Sequence, residues 1–564
     1  MIYLSLGLVW AIIIAGGSTL LKINYFLSFF QGIVAFLIGS FIAYLTTPVI
    51  GLYETGFWFF VLTPIVFIGL IAFVFTVENY NEVNEKSSKL ILLFTTLSLI
   101  FFISFSFITT TPMFHSESYY NLLNVVEESE FNPEKVLLDQ TQARFVDQDL
   151  SVRSANEILG QIRGMGSRFR IGSMRIQNIN DELQWVAPFE HSTFFRWMDD
   201  NTSPGYVLVR ASDYSESKMV TEDTDINYGN TGFYFSKHLP RHLYDNGYSR
   251  TLFNDFTLEI NNEGKPYWIA SIIKRKVGFS GKVATGIVVV NAKNGAIDEY
   301  SIEDAPEWVD RIQPESIVED LISDWGEYAD GWWNSFAVGN GVITATPGSS
   351  IVFTENKRSK WYTGMQSKST TNKESTMGFM MVDSRTGKAL FYQRSGITEN
   401  VAKTAIEGRV QESEYISSNP IPYNINGQIT FLSILKDKNG NVQGIGLVAY
   451  DNRSKVVFGE SFDIALRRYM SVIAEVNGTE NMNSSMKTIK IDGIIKRSHL
   501  QNIDNRLILN FTLTGDDYHG LFFIVQADEN KEAMLTRDND KVSFETYSLK
   551  NESIQSFNFK NNNF

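Results

Sequence analysis

Four uncharged apolar runs, each 21 residues long, fall within the first 110 positions of the chain: Met1–Leu21, Tyr25–Leu45, Phe57–Val77 and Leu90–Thr110. About 20 residues of helix cross a hydrocarbon core. Backbone groups find no water there, so each run is predicted to be a helix. The charged residues of this stretch, Lys22, Glu54, Glu78, Glu82, Glu85, Lys86 and Lys89, all lie between the runs. Trp10, Tyr44, Tyr53 and Trp58 suit interfacial positions near the helix ends. No Lys or Arg precedes the first run, so a cleaved leader fits it poorly. The runs hold no Asp, Glu, Lys, Arg or His, which argues against a proton-coupled transporter. Gly7, Gly16, Gly17, Gly32, Gly39 and Gly69, with Pro64, read as close-packing and kink positions.

Loop charge sets the expected orientation. The first loop carries Lys22, the second only Glu54, and the third Lys86 and Lys89. The positive-inside bias puts the first and third loops in the cytoplasm. Both chain ends, with everything after residue 110, are then expected outside an inner (cytoplasmic) membrane. No Lys or Arg follows the fourth run until Lys135.

The chain carries 49 Lys+Arg against 63 Asp+Glu, a net charge of −14. That balance argues against a general nucleic-acid binder, because such affinity rests on cations displacing counterions. With no cysteine, thiol catalysis, Cys-ligated zinc and disulfide scaffolds are excluded.

Past residue 110, Ser116–Gly160 reads as helical, with Tyr119, Leu122, Leu123 and Val126 at helical spacing and a second run over Lys135–Phe145. From Arg168 the pattern turns to short β-rich runs broken by Gly, Asn and Asp. A weak repeat follows. Its copies are residues 285–297 (TGIVVVNAKNGAI), 377–389 (MGFMMVDSRTGKA) and 445–457 (IGLVAYDNRSKVV). Each is a glycine, an apolar run and a polar turn. Asn294-Gly295 and Thr386-Gly387 supply residues that tolerate positive φ. Strand-like runs precede the copies at Pro266–Lys274, Lys360–Met365 and Gln428–Leu435. Helix-like runs follow at Pro306–Ile312 with Pro314–Asp324, at Ile397–Val410 and at Ser461–Met470. Gly205–Ala211 resembles the start of a degenerate fourth copy.

This pattern of strands, Asp/Asn-x-x-x-Gly turn and helix resembles tandem PepSY-like modules over about 255–470, carried by Val290–Gly295 and Val382–Gly387. The third copy departs from it, with Lys455 where the turn glycine would stand. The resemblance implies non-catalytic modules outside the cytoplasm that bind or restrain protein partners. Beyond a polar linker, Asn477–Ser485, five strand candidates resemble a small OB-like barrel.

The expected fold class is therefore a membrane α-helical bundle of four transmembrane helices, then an α+β multi-module soluble region ending in a small β-barrel. Expected boundaries are a 1–110 anchor, a 111–165 helical connector, a 166–255 α+β module, PepSY-like modules over 256–335, 336–412 and 413–476, and a 487–564 OB-like barrel.

Two clusters are candidate interaction sites. Arg163, Arg168, Arg170 and Arg175 suit an anionic partner or lipid headgroups, or form the wet face of strands. Trp325, Trp332 and Trp333 suit a protein interface, sugar stacking, or packing between modules. His238 and His242 have metal-ligand spacing, but Pro240 lies between them and no Glu follows His238. Glu190-His191-Ser192 is no triad signature, and Gly160–Gly166 lacks the Lys-Ser/Thr ending of a phosphate loop. No catalytic, metal or cofactor residue is assigned. The expected function is non-catalytic: an envelope scaffold or assembly factor that binds the bilayer and a protein partner, with homo-oligomerisation left open. The alternatives are a cytoplasm-facing nucleic-acid binder using the barrel, a membrane-anchored hydrolase with His191, His238 and His242 as first suspects, and a channel.

Overall fold

The computed structural model describes residues 2–77, 85–128, 143–213, 217–354, 358–368, 374–476, 489–503, 506–515, 518, 521–527, 530–546 and 553–563. Most of the Lys135–Phe145 run and the Asn477–Ser485 linker lie outside them. The chain divides into two compact units, Met1–Tyr469 and Met470–Phe564.

The four apolar runs are helices: α1 (Ile2–Leu20), α2 (Tyr25–Thr46), α3 (Thr55–Val77) and α4 (Glu85–Thr110), each long and apolar enough to cross a membrane. α4 begins before its apolar run because Glu85 and Lys89 pair across one turn. Small residues set the helix spacing. A Cβ on Gly7 would strike Ser40, one on Gly39 would strike Trp10, one on Gly17 would strike Ile68, and one on Gly69 would strike Thr95. Gly16, by contrast, faces open space. Trp10 Nε1 donates to Phe60 O at 3.0 Å. The outward faces stay apolar, with Ile12, Phe29, Phe41, Phe59 and Ile103 exposed. A helix group with an apolar exterior has the pattern expected of lipid rather than water as its surroundings.

A short helix, α5 (Pro112–Tyr120), follows α4. The next element corrects the sequence reading. Val125–Glu128 is a strand, β1, although Val126 continues a helical spacing. It pairs in parallel with a strand near residue 390, so β-branched Val125 and Val126 extend a distant sheet. α6 (Gln148–Gln161) is capped by Asp147, whose Oδ1 accepts from Leu150 N–H at 2.9 Å.

Four larger sheets, antiparallel except for the parallel β1 at the edge of the third, follow among the described residues of the first unit. The first holds β2 (Phe169–Ile171), β3 (Arg175–Ile179), β4 (Glu182–His191), β5 (Tyr206–Arg210) and β6 (Ser217–Val220). The second is a meander of β7 (Leu252–Ile260), β8 (Pro266–Val277), β9 (Ser280–Asn291) and β10 (Ile297–Ser301). These two sheets share one core containing Val186, Tyr206, Leu208, Leu258, Trp268 and Val288. Alternation along the strands sends Ile269, Ile287 and Val289 to the opposite face, where they pack on Ala305, Val309 and Ile312.

α7 (Glu315–Tyr328) leads to the third sheet: β11 (Ile343–Ala345), β12 (Ser350–Phe353), β13 (Ser359–Ser367), β15 (Gly378–Asp383) and β16 (Ala389–Tyr392), with β1 at its edge. A two-stranded pair, β14 (Ser375–Thr376) and β17 (Gly396–Ile397), flanks it. α8 (Glu399–Gly408) precedes the fourth sheet, β18 (Ile416–Ser417), β19 (Ile421–Ile425), β20 (Gln428–Lys436), β21 (Val442–Ala449) and β22 (Asn452–Gly459), and α9 (Phe462–Val476) follows it. α8 packs on β18, β20, β21 and β22, the sheet after it rather than the one before. Tyr362, Phe379, Ile406, Phe431 and Tyr450 form one core shared by the third and fourth sheets. The boundary expected between residues 412 and 413 runs beside this common core.

The repeat has a structural counterpart in two copies. Asn291 Oδ1 accepts from the N–H groups of Lys293 and Asn294, both at 3.0 Å. Asp383 Oδ1 accepts from Arg385 at 3.1 Å and Thr386 at 2.8 Å. Gly295 and Gly387 follow at φ +76° and +73°, and each N–H returns to the carbonyl of Asn291 or Asp383 at 2.9 Å. The third copy turns differently: β21 and β22 pair Ala449 with Asn452 in a tight hairpin, and Lys455 is buried in β22.

The run Pro306–Ile312, expected as helix, is a loop. Its carbonyls bond a side chain instead of a helical ladder. The Arg385 guanidinium donates to Ala305 O at 2.9 Å, to Pro306 O at 2.8 Å and to Val309 O.

The second unit contains β23 (Ile489–Ile503), β24 (Arg506–Leu513), β25 (Phe522–Gln526), α10 (Lys531–Leu535), β26 (Lys541–Thr546), β27 (Ser553–Gln555) and β28 (Phe557–Asn561). Long β23 pairs with β26 through its first half and with β24 through its second. The sheet order is β27-β25-β24-β23-β26-β28. Its two edge strands are consecutive in the chain, separated by Ser556 alone. Phe511, Phe523, Phe544 and Phe559 fill the core.

Candidate functional site

The β-rich part of the first unit is fastened to one end of the helices. Between α2 and α3, Pro48 O accepts from Tyr244 Oη at 3.0 Å, and Ile50 N–H donates to Ser249 O at 2.8 Å. Arg241 lies over the Tyr44 ring at 4.0 Å and donates to Tyr44 O. The β8–β9 hairpin places Phe279 against Tyr53, Phe102 and Phe105, each 5.8 Å away between ring centroids. Phe279 N–H donates to Thr110 Oγ1 at 3.0 Å.

Elsewhere in the β-rich region, the sheets line a half-open cavity of about 440 Å³ with mixed polar and apolar walls. It is lined from five directions: Arg144 with Asp147 and Asp149 at the start of α6, Arg175 on β3, Arg311 in the 306–314 loop, Lys403 on α8 and Lys436 on β20. Trp185 and Trp361 form walls and spend their indole N–H groups on Val146 O and Gln313 O, both at 2.9 Å. Five cations face three carboxylates, the third being Glu315.

Not all of that charge is free to act. Lys436 pairs with Asp147 at 2.5 Å, and Arg175 reaches Asp255 at 3.4 Å. Arg144 is buried beside Tyr423, whose hydroxyl accepts its backbone N–H at 3.2 Å. Burial lowers the pKa of its guanidinium below the ordinary value. Arg311 is also buried, donates to Ile176 O at 2.8 Å, and is shifted down by desolvation. Behind it, burial raises the pKa values of the Glu259 and Asp310 carboxyls. Lys403 makes no ion pair among the described residues and also lines a neighbouring cavity of about 320 Å³. Cations stripped of water gain most from an entering anion that can accept hydrogen bonds. The arrangement is chemically suited to a carboxylate-bearing segment.

The arginines singled out in the sequence do not form one site. Arg168 pairs with Asp200 at 3.0 Å and Arg170 with Glu190 at 3.3 Å. Arg163 lies exposed in the turn after α6, and only Arg175 reaches the cavity. The tryptophans also separate. Trp325 is 7% exposed and packs on Phe391 at 5.5 Å, whereas Trp332 stacks on Phe336 at 5.0 Å and Trp333 is 65% exposed. Of the histidines, His191 is buried between Phe169 and Phe233 and its pKa is lowered by burial. His238 is lowered in the same way. His242 Nε2 meets Gly295 O at 2.8 Å against the Tyr228 ring.

Arg144, Arg311, Lys403 and Lys436 went unrecognised in the sequence. They stand at least 33 positions apart in the chain, and no local spacing links them. The only local signal was Arg311 in the Pro306–Pro314 stretch, whose prolines favour a loop over the expected helix.

No family model matches the chain, and no curated protein matches it. Among solved structures, a Bacillus megaterium levansucrase variant is similar at TM-score 0.19 and 9% identity, covering 76% of this chain and 98% of its own. A Trypanosoma rangeli sialidase with the inhibitor DANA is similar at TM-score 0.17 and 9% identity, covering 62% and 54%. A Bacillus subtilis levansucrase variant is similar at TM-score 0.16 and 10% identity, covering 75% and 91%. Likenesses this slight carry no argument about fold or activity.

Proposed function

We propose that this is a non-catalytic, membrane-anchored binding protein of the bacterial envelope. Its four helices cross the inner membrane, and its β-rich region stands on the extracytoplasmic side. The cationic cavity receives an acidic segment of a protein partner. The observation that carries this reading is the convergence of desolvated Arg144 and Arg311 on one cavity with Lys403, which has no ion pair among the described residues, in a chain whose net charge is −14.

Helix polarity supports the orientation. The 47–54 loop and the end of α4 bond the β-rich region, whereas Lys22 precedes α2 at its far end. A helix of this length separates those ends by about 33 Å, close to a hydrocarbon thickness. Lys22, with Lys86 and Lys89 in the first turns of α4, thus lies opposite the β-rich region, as the positive-inside bias requires for an outside location. The matched turns at Asn291 and Asp383 support the PepSY-like resemblance. The consecutive edge strands β27 and β28 are what an OB-like barrel needs to close.

The test is photocrosslinking in intact cells from an unnatural residue at Ser418, on the cavity wall. A discrete envelope protein is expected in the crosslink, and Lys403→Glu should abolish it while leaving protein level unchanged. A Ser418 probe that captures no protein, or a crosslink indifferent to Lys403→Glu, contradicts the reading.

A further inference from the structure

Between Asp330 and Glu355 the chain has no charged residue. Within that stretch, residues 331–338 form two short helical turns, Gly331–Trp333 and Asn334–Val338, that make a tip with exposed apolar side chains. Trp333 is 65% exposed, Phe336 70% and Val338 65%, while Trp332 stacks flat on Phe336. Water is a poor environment for such a cluster, and exposed apolar groups gathered at one point mark a contact surface.

The position of the tip identifies what it contacts. Residues 331–333 pack on α5, and a Cβ on Gly331 would lie 3.9 Å from Ser116 Oγ. α5 does not simply prolong α4. A straight continuation would carry Tyr119 about 13 Å beyond Thr110. Instead the chain kinks at His115 (φ −133°, ψ 18°), His115 Nε2 meets Ile108 O at 2.9 Å, and Tyr119 Oη donates back to Thr110 O at 2.6 Å. α5 therefore lies across the end of α4, with Met113 and Phe114 exposed. The tip that rests on it sits at the level where the apolar helices end. Indole rings favour that layer of a bilayer, since their apolar body and polar N–H match its two sides.

We propose that the Trp332–Val338 tip is a membrane-interfacial anchor that dips into the headgroup–acyl boundary beside α4. It gives the β-rich region a second point of contact with lipid. The proposal rests on the reading that α1–α4 cross a membrane.

The chain has no cysteine, so single-cysteine variants can be labelled cleanly. The test reconstitutes full-length Phe336→Cys and Ile103→Cys variants in phosphatidylcholine/phosphatidylglycerol vesicles. Each carries a nitroxide, and its collision rates with oxygen and with a water-soluble nickel chelate are compared. Ile103, exposed on α4, reports the membrane reading by itself. The expected result is an oxygen-to-nickel ratio at position 336 several-fold above that of a water-exposed site, yet below that at position 103. A lipid-like ratio at 103 with a water-like ratio at 336 overturns the anchor and leaves the membrane reading standing. Shielding of 336 from both reagents, as under a second copy or a protein partner, also overturns it. A water-like ratio at 103 removes the membrane reading and the anchor together.

Discussion

Glu54 and Arg275 form a two-toothed ion pair, Nε to Oε1 at 3.1 Å and Nη2 to Oε2 at 3.2 Å, that ties the α2–α3 loop to strand β8. Both side chains are largely withdrawn from water, at 17% and 11% exposure. Glu54 is the only charge in its loop, so this pair adds a charged contact to the hydrogen bonds that Pro48 O and Ile50 N–H make with the β-rich region.

Breaking this pair leaves an uncompensated, mostly buried charge. Glu54→Gln or Arg275→Met alone should cost about 3 kcal/mol, and the double variant much less than the sum. Thermal unfolding in detergent checks this. Additive losses in the double variant would show that the two residues act separately.

The β8–β9 hairpin tip is the second fastening. Phe279→Ala removes a ring packed on Tyr53, Phe102 and Phe105 and should destabilise by about 3 kcal/mol. Gly278 has φ +50°, and a Cβ there would come within 2.4 Å of Thr109 O. Gly278→Ala should therefore cost more than the ~1 kcal/mol of an ordinary positive-φ glycine, and limited proteolysis should release the β-rich region faster. Unchanged proteolysis of both variants would mean the hairpin does not hold the helices.

Asp324 on α7 gives a pH dependence. Burial, with Asp320 and Glu327 nearby, pushes its pKa up from 3.8 to about 7. Between those values the folded state holds a proton that the unfolded state has lost, so stability falls as pH rises from about 4 through 7. With a discount for its partial exposure, the loss is about 1–2 kcal/mol. Asp324→Asn should raise the melting temperature at pH 8 relative to pH 5. An identical shift at both pH values would contradict the assignment.

The apolar helices were legible because their run lengths match a membrane thickness and their small residues mark close contacts. Gly7, Gly17, Gly39 and Gly69 do sit where a side chain would collide, although Gly16 does not. The turns at Gly295 and Gly387 were legible for a similar reason, since positive φ leaves a local signature. Long-range pairing left none. Val125 and Val126 join a strand more than 260 positions away, and α8 covers the sheet that follows it. Helical spacing and chain order are blind to both. The cavity was invisible for the same reason, because Arg144, Arg311 and Lys403 meet only through the packing of separate sheets.

The most direct test of the account is the sidedness of the β-rich region. Glu303→Cys, exposed in the loop after β10, and Lys22→Cys, in the first helix loop, are labelled with a membrane-impermeant maleimide in intact spheroplasts. Labelling of position 303 in intact spheroplasts, with position 22 labelled only after permeabilisation, is the predicted result. Labelling of position 22 with protection of 303, or equal labelling of both before permeabilisation, would contradict it.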